Sequence, residues 1–207
     1  DIPDVQIKHD VPRIFVVEGM YYDRFGLEEA IASIPGAVIE GCSTSSNMQA
    51  ADVAPQFPST DELFNEYNIV VLANVDIRRL GVLRRYVIRK FVEKGGALLV
   101  LGGPWTYGRC AMKGTAMDAI LPVSPKGKSD WIKLPDESSV LVSQTAPEIL
   151  KGVKFKEAPV LRYIHDLELK KDAQVFMTAG GKPLLICTQK GQGRTAAFAG
   201  TAMGEAA

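Results

Sequence analysis

Three short apolar runs constrain the fold most: Arg13-Ile14-Phe15-Val16-Val17, Asn68-Ile69-Val70-Val71-Leu72 and Ala97-Leu98-Leu99-Val100-Leu101. They are rich in Val, Ile and Leu and lack polar alternation, the pattern of strands buried on both faces of a parallel sheet. Parallel neighbours cannot be joined by tight hairpins, so each run needs a right-handed crossover behind it. The intervening sequence supplies such crossovers. After Asp23, read as an N-cap, Leu27, Ala30, Ile31 and Ile34 recur at helical spacing until Pro35-Gly36. Ala37-Val38-Ile39-Glu40 reads as a further strand, Cys42 to Ser59 as a polar loop, and Thr60-Asp61-Glu62-Leu63 as the capped start of a short helix. The segment from Arg78 to Lys94 is the strongest helix, with Leu80, Leu83, Val87 and Phe91 on one face and Arg78, Arg85 and Arg89 opposite. Gly95-Gly96 stops it. The front half is therefore doubly wound α/β.

Beyond about Leu121 the texture changes to short alternating segments, Trp131-Ile132-Lys133-Leu134 and Val140-Leu141-Val142 among them, set off by Pro, Gly, Asp and Ser. Gln174 to Met177, Pro183 to Cys187 and Thr195 to Phe198 form a strand series linked through Gly180-Gly181 and Gly191-Gln192-Gly193, read as hairpin turns. A single domain is expected over 1–207, with an α/β core at about 12–123 and a β-rich extension at about 124–207. The last residues read as the end of a domain excised from a larger protein.

Of the 207 residues, 24 are Lys or Arg and 24 are Asp or Glu, so no net positive charge supports general nucleic-acid or anionic-membrane binding. The apolar runs are too short to span a bilayer. The cationic run Arg78, Arg79, Arg84, Arg85, Arg89, Lys90 and Lys94 reads as a solvated helix face, with an acidic partner surface as the alternative. Three separated cysteines, Cys42, Cys110 and Cys187, exclude a dense disulfide framework and any C-x-x-C motif. Two histidines, His9 and His165, make a histidine-rich metal site improbable. Cys187 reads as a core residue. No cofactor motif is found, and the compartment is left open.

Ligands of open parallel sheets sit beyond the carboxyl ends of the strands. Those ends carry Glu18, Tyr21 and Tyr22, then Asn74 and Asp76, then Gly103, Trp105, Thr106, Tyr107 and Arg109. Aromatic rings beside carboxylates and amides suit a small polar ligand such as a carbohydrate, and rim aromatics equally suit simple packing. The loop Gly102-Gly103-Pro104-Trp105-Thr106-Tyr107-Gly108 lacks the phosphate-binding patterns of a P-loop or a dinucleotide fold. It has the position of a nucleophile elbow, a sharp turn straight after the most apolar strand, without a nucleophile.

The run Gly95 to Gly103, then Trp105-Thr106-Tyr107-Gly108, then Gly114-Thr115-Ala116-Met117-Asp118-Ala119-Ile120-Leu121-Pro122-Val123, resembles the glutamine amidotransferase-like family, a branch of the class I glutamine amidotransferase superfamily. Gly191-Gln192-Gly193-Arg194-Thr195-Ala196-Ala197-Phe198 is similar to that family's closing hairpin and strand, so the resemblance runs from Arg13 to about Thr201. It implies a flavodoxin-like α/β sandwich. Active relatives carry Gly-x-Cys-x-Gly at the elbow and a His-x-Glu pair later in the chain. Laid on this sequence, that pattern puts Pro104 or, one residue on, Trp105 at the nucleophile position. Around His165 it finds Asp166 and Glu168 in place of the His-x-Glu spacing.

The leading expectation is thus a non-catalytic binding or interaction domain, holding a small polar ligand or a neighbouring domain at the strand-end rim. A homo-oligomer is compatible with this reading. The alternative is a cysteine-dependent hydrolase or amidotransferase-like enzyme with a relocated thiol, Cys110 or Cys42, and His165 as its base.

Overall fold

The computed structural model describes residues 2–8, 10–44, 56–153 and 160–201. A mixed sheet of nine strands runs in the order β2 (Val38–Ser43), β1 (Arg13–Glu18), β3 (Ile69–Ala73), β4 (Ala97–Leu101), β11 (Gly193–Phe198), β10 (Lys182–Lys190), β9 (Gln174–Ala179), β6 (Trp131–Val142) and β7 (Val160–His165). The first five are parallel to one another. From β11 through β7 the pairing is antiparallel. The architecture is flavodoxin-like α/β with extra C-terminal strands. Short strands β5 (Val123–Pro125) and β8 (Leu167–Leu169) form a separate pair. The β-rich part adds its strands to the same sheet, because Arg194 to Phe198 pair in register with Ala97 to Leu101.

Helices α1 (Leu27–Ala32), α2 (Thr60–Glu66), α3 (Gly81–Glu93), α4 (Ala116–Ile120) and α5 (Glu148–Lys151) complete the fold. The start of α2 follows from its sequence: Ser59 Oγ accepts from the Glu62 N–H while the Glu62 carboxylate accepts from the Ser59 N–H, a reciprocal capping box. The larger core packs α2, α3 and α4 on one sheet face through Leu63, Phe64, Ile88, Phe91 and Met117. A smaller cluster on the other face joins Ile14, Val16, Val71 and Leu101 to Ile31 of α1.

Several local expectations are corrected. Leu83 is 73% exposed, together with Val82 and Tyr86, and the buried arc of α3 is Val87, Ile88, Phe91 and Val92. A residue three positions after Leu80 lies 60° back around the helix, and the arc is centred on the side where Ile88 and Val92 lie. Asp23 is not an N-cap: it lies within a 3₁₀ turn, Tyr22–Phe25, and Gly26 at φ 59° separates that turn from α1. The second strand runs on to Ser43, placing Cys42 in the sheet instead of the loop. Most of that loop, 45–55, lies outside the described residues, as does His9. Of the cations in and beside α3, Arg89 and Lys90 pair with Glu93, Lys94 with Asp4 and Arg78 with Asp76.

Candidate functional site at the strand ends

The strand order reverses between β1 and β3, where an open α/β sheet offers its crevice. Here that crevice is filled. The Gly19 N–H donates to Ala73 O at 2.9 Å, and a Cβ on Gly19 would lie 1.9 Å from Asn74 O, so the two loops touch backbone to backbone. Asn74 is buried at φ 51°, a left-handed conformation that Asn tolerates better than most residues. Its Nδ2 donates to Met20 O at 2.6 Å and its Oδ1 accepts from the Trp105 N–H at 2.9 Å. One side chain thereby ties together the loops after β1, β3 and β4.

The turn after β4 holds the elbow position. Thr106 Oγ1 accepts from the Gly103 N–H and donates to Gly103 O, both at 2.7 Å, which closes the turn on itself. Above it sits His165, whose side chain is buried with that of Asp130 at 2% and 1% exposure. Nδ1 of His165 lies 3.2 Å from Asp130 Oδ1. Nε2 lies 3.1 Å from Gly103 O and 3.5 Å from Thr106 Oγ1. The order Asp130, His165, Thr106 has the outline of a hydrolytic triad, but the bonding polarity is different. Nδ1 lies by a carboxylate and Nε2 by a carbonyl, and a neutral imidazole donates its one N–H to either of them. Thr106 is buried, and its hydroxyl proton is already committed to Gly103 O. A general base needs its lone pair aimed at the nucleophile's proton. Asp130 is fixed in turn by the Gly108 N–H, 2.9 Å from its Oδ2. Register explains the placement: Trp131 pairs directly with His165, and the His165 N–H donates to Ala199 O at 2.8 Å.

Beside this network opens a pocket of about 430 Å³, lined by Pro104, Arg109, Lys128, Ser129, Asp130, Trp131, Tyr163 and His165. Trp131 and Tyr163 form its aromatic wall, with ring centroids 5.7 Å apart. The His165 ring is packed edge to face between Tyr107, at 4.8 Å, and Trp131, at 5.1 Å. The Arg109 guanidinium lies over the Trp105 ring at 4.0 Å.

The rim residues read from the sequence separate into groups. Arg109 lines the pocket and Trp105 supports it. Gly103, Asn74, Thr106 and Tyr107 are buried. The Tyr107 hydroxyl lies 3.0 Å from Phe198 O, and burial pushes its pKa well up. Glu18 accepts from Ser43 Oγ at 2.6 Å and lies by Tyr22, whose pKa its charge raises. Tyr21 is exposed, and Asp76 is ion-paired with Arg78 at 2.6 Å. The sequence reading missed Lys128, Asp130, Trp131 and Tyr163. A usable signal existed in Arg162-Tyr163-Ile164-His165, whose alternation puts Tyr163 and His165 on one face of a strand.

Cys42 and Cys110 are both buried, and burial pushes each thiol up to about 12. This corrects the reading of Cys42 as a loop thiol. Cys110 Sγ is bonded to Tyr107 O at 3.2 Å. Cys187 is half-buried, not a full core residue, and burial raises it to about 11. Among the described residues no Cys-His-Glu constellation occupies the elbow, and no group of three His, Cys, Asp or Glu side chains is placed to hold a metal. No helix among them is long and apolar enough to cross a membrane.

Strand order, elbow and closing strand together define a class I glutamine amidotransferase-like domain whose elbow lacks a nucleophile. Residues 22–204 match the family described as Putative glutamine amidotransferase, and the chain belongs to it. Among solved structures it is similar to Cytoplasmic Protein STM1381 from Salmonella typhimurium LT2, at TM-score 0.75 and 19% identity over 91% of this chain and 88% of that one. Cytoplasmic Protein STM3548 from Salmonella typhimurium gives TM-score 0.72 and 22% identity over 92% and 87%. The beta-galactosidase from Rahnella sp. R3 gives TM-score 0.53 and 12% identity over 94% of this chain but 29% of the enzyme. These likenesses concern the fold. No curated protein matches the chain.

Proposed function

We propose that this chain is a non-catalytic amidotransferase-like binding domain that holds a small polar ligand, with carbohydrates the first class to test, in the pocket between the β4 loop and β7. One observation carries the reading: His165, the residue nearest to a catalytic base, is buried with its two nitrogens against Asp130 and Gly103 O, yet it borders an aromatic-walled pocket of about 430 Å³. What remains at the old reaction centre is a shaped cavity with aromatic faces for sugar C–H groups and polar edges for hydroxyls. In this reading Arg109 and Trp105 belong to the binding surface, while Asn74, Gly103, Thr106 and Tyr107 frame it. Glu18, Tyr21, Tyr22 and Asp76, on the β1 and β3 loops, form the remaining rim, which suits a neighbouring domain. The occurrence of this fold within beta-galactosidases makes glycans a rational first panel.

The test is a thermal-shift screen of glycans and polar metabolites. A ligand at a hundredfold excess over its Kd should raise Tm by roughly 5 °C or more in a protein of this size. The shift should vanish in Trp131→Ala and Tyr163→Ala. A broad panel with no stabilising ligand, or ligands whose effect ignores both substitutions, would overturn the pocket reading.

A further inference from the structure

We infer that the ligand of this pocket is an anion, a ring-bearing molecule carrying a carboxylate or phosphate, seated with its ring on Trp131 and Tyr163 and its charge between Arg109 and Lys128. The inference rests on the pocket reading above and concerns the charge that the pocket selects. Three groups of side chains decide it.

The carboxylate at the floor is spent. Asp130 has one carboxylate oxygen on His165 and the other on the Gly108 N–H, and its side chain is 1% exposed. Both oxygens are hydrogen-bonded inside the protein, so it presents no free oxygen to a ligand.

The cations at the mouth are not spent. Arg109 and Lys128 are both exposed and line the pocket, and among the described residues neither has a carboxylate partner. Their neighbours show the contrast: Lys126 and Lys182 share Asp166 at 2.9 and 3.0 Å, and Lys170 is paired with Asp118 at 3.2 Å. In a chain with equal numbers of cations and anions, two unmatched cations converging on one cavity make a local positive field.

Arg109 is also held in place. Its guanidinium carbon lies 4.0 Å from the centre of the Trp105 ring, which fixes the charge beside the pocket, and a guanidinium fork can grip two oxygens of a carboxylate or phosphate. Lys128 supplies a second, point-like charge. The adjacent aromatic wall explains why the ligand should carry a ring as well as a charge.

Matched probes test the assignment: glucose, glucuronate, glucose 6-phosphate, phenol, phenyl phosphate and inorganic phosphate, titrated calorimetrically into the protein at two salt concentrations. The anionic member of a pair should bind at least about tenfold tighter than its neutral counterpart and weaken as salt rises. Glucuronate against glucose 6-phosphate separates carboxylate from phosphate, and inorganic phosphate reads the charge without the ring. Arg109→Gln and Lys128→Gln, both at exposed positions, should each cost about tenfold for the anion and leave the melting temperature of the free protein unchanged. Neutral probes that bind as tightly as anions and depend on Trp131 would overturn the anion assignment while leaving the pocket reading intact. Binding of anions that both substitutions leave unaltered would also overturn it, as would no binding by any probe, in which case the pocket reading is judged by the glycan and metabolite screen.

Discussion

His165 Nε2 lies 3.1 Å from the carbonyl oxygen of Gly103, the residue just before the elbow position, while Nδ1 of the same ring lies 3.2 Å from Asp130. This ring fastens the β4 loop, the segment before β6 and the end of β7 to one another. Removing one member of a buried, hydrogen-bonded pair strands the other, so Asp130→Ala should destabilise the protein by about 3 kcal/mol. His165→Ala should cost a similar amount, with Asp130 Oδ1 left without its partner. Urea denaturation measures both, and losses under about 1 kcal/mol would show that the network is not closed as described.

The thiols give a second prediction. Cys42 and Cys110, buried and pushed up to about 12, carry almost no thiolate at neutral pH, and the thiolate is the reactive species. Iodoacetamide at pH 7 should modify both at least about a hundredfold more slowly in the native protein than in urea, as read by mass spectrometry of peptides. Cys187, half-buried, should react first. Fast native alkylation of Cys110 would revive the reading of a relocated nucleophile.

Much of the fold was legible because it rests on local pattern. The runs at Arg13, Asn68 and Ala97 are strands, and the glycine pairs around 180 and 191 do connect antiparallel strands. The pocket was not legible for a physical reason. Its walls come from Trp131 and Tyr163, residues that meet because β6 pairs with β7, and nothing local records that pairing. Conversely Asn74, Thr106 and Tyr107 had the right position to be read as ligands. Whether a polar rim residue faces solvent or a neighbouring loop is decided by how closely the loops approach, here the contact of Gly19 with Asn74.

The close packing of Gly103 on Asn74 supplies a third prediction. A Cβ on Gly103 would lie 2.4 Å from Asn74 Cγ, and Asn74 is held by Met20 O and the Trp105 N–H, so it has nowhere to move. Gly103→Ala should therefore destabilise by about 2 kcal/mol, within the range for overpacking a filled site. Asn74→Ala removes both bonds and leaves the Met20 carbonyl and the Trp105 N–H to find other partners, at a cost of about 2 kcal/mol. The double variant should cost less than the sum, since Ala at 74 makes room for the methyl group at 103. Additive losses in urea denaturation would show that the two residues do not compete for the same space.

A pH series reads the same burial thermodynamically. The thiols of Cys42 and Cys110 hold their protons to about 12 in the folded chain, whereas unfolded thiols titrate at roughly 8.5. Below that lower value both states are protonated and the thiols make no difference. Above it the unfolded state sheds protons that the folded state keeps, so stability falls as pH rises through this window. The fall should be about 2 kcal/mol per thiol by pH 10. Buried Tyr107, also raised, joins only as the pH nears the range of an ordinary tyrosine. Urea denaturation under reducing conditions at pH 7.5 and pH 10 measures the slope. The Cys42→Ala, Cys110→Ala double variant, less stable at the outset, should lose roughly 4 kcal/mol less over that interval than the unsubstituted protein. An equal loss in both would assign the alkaline slope to the tyrosines and Cys187, raised to about 11, and place the two substituted thiols within reach of solvent.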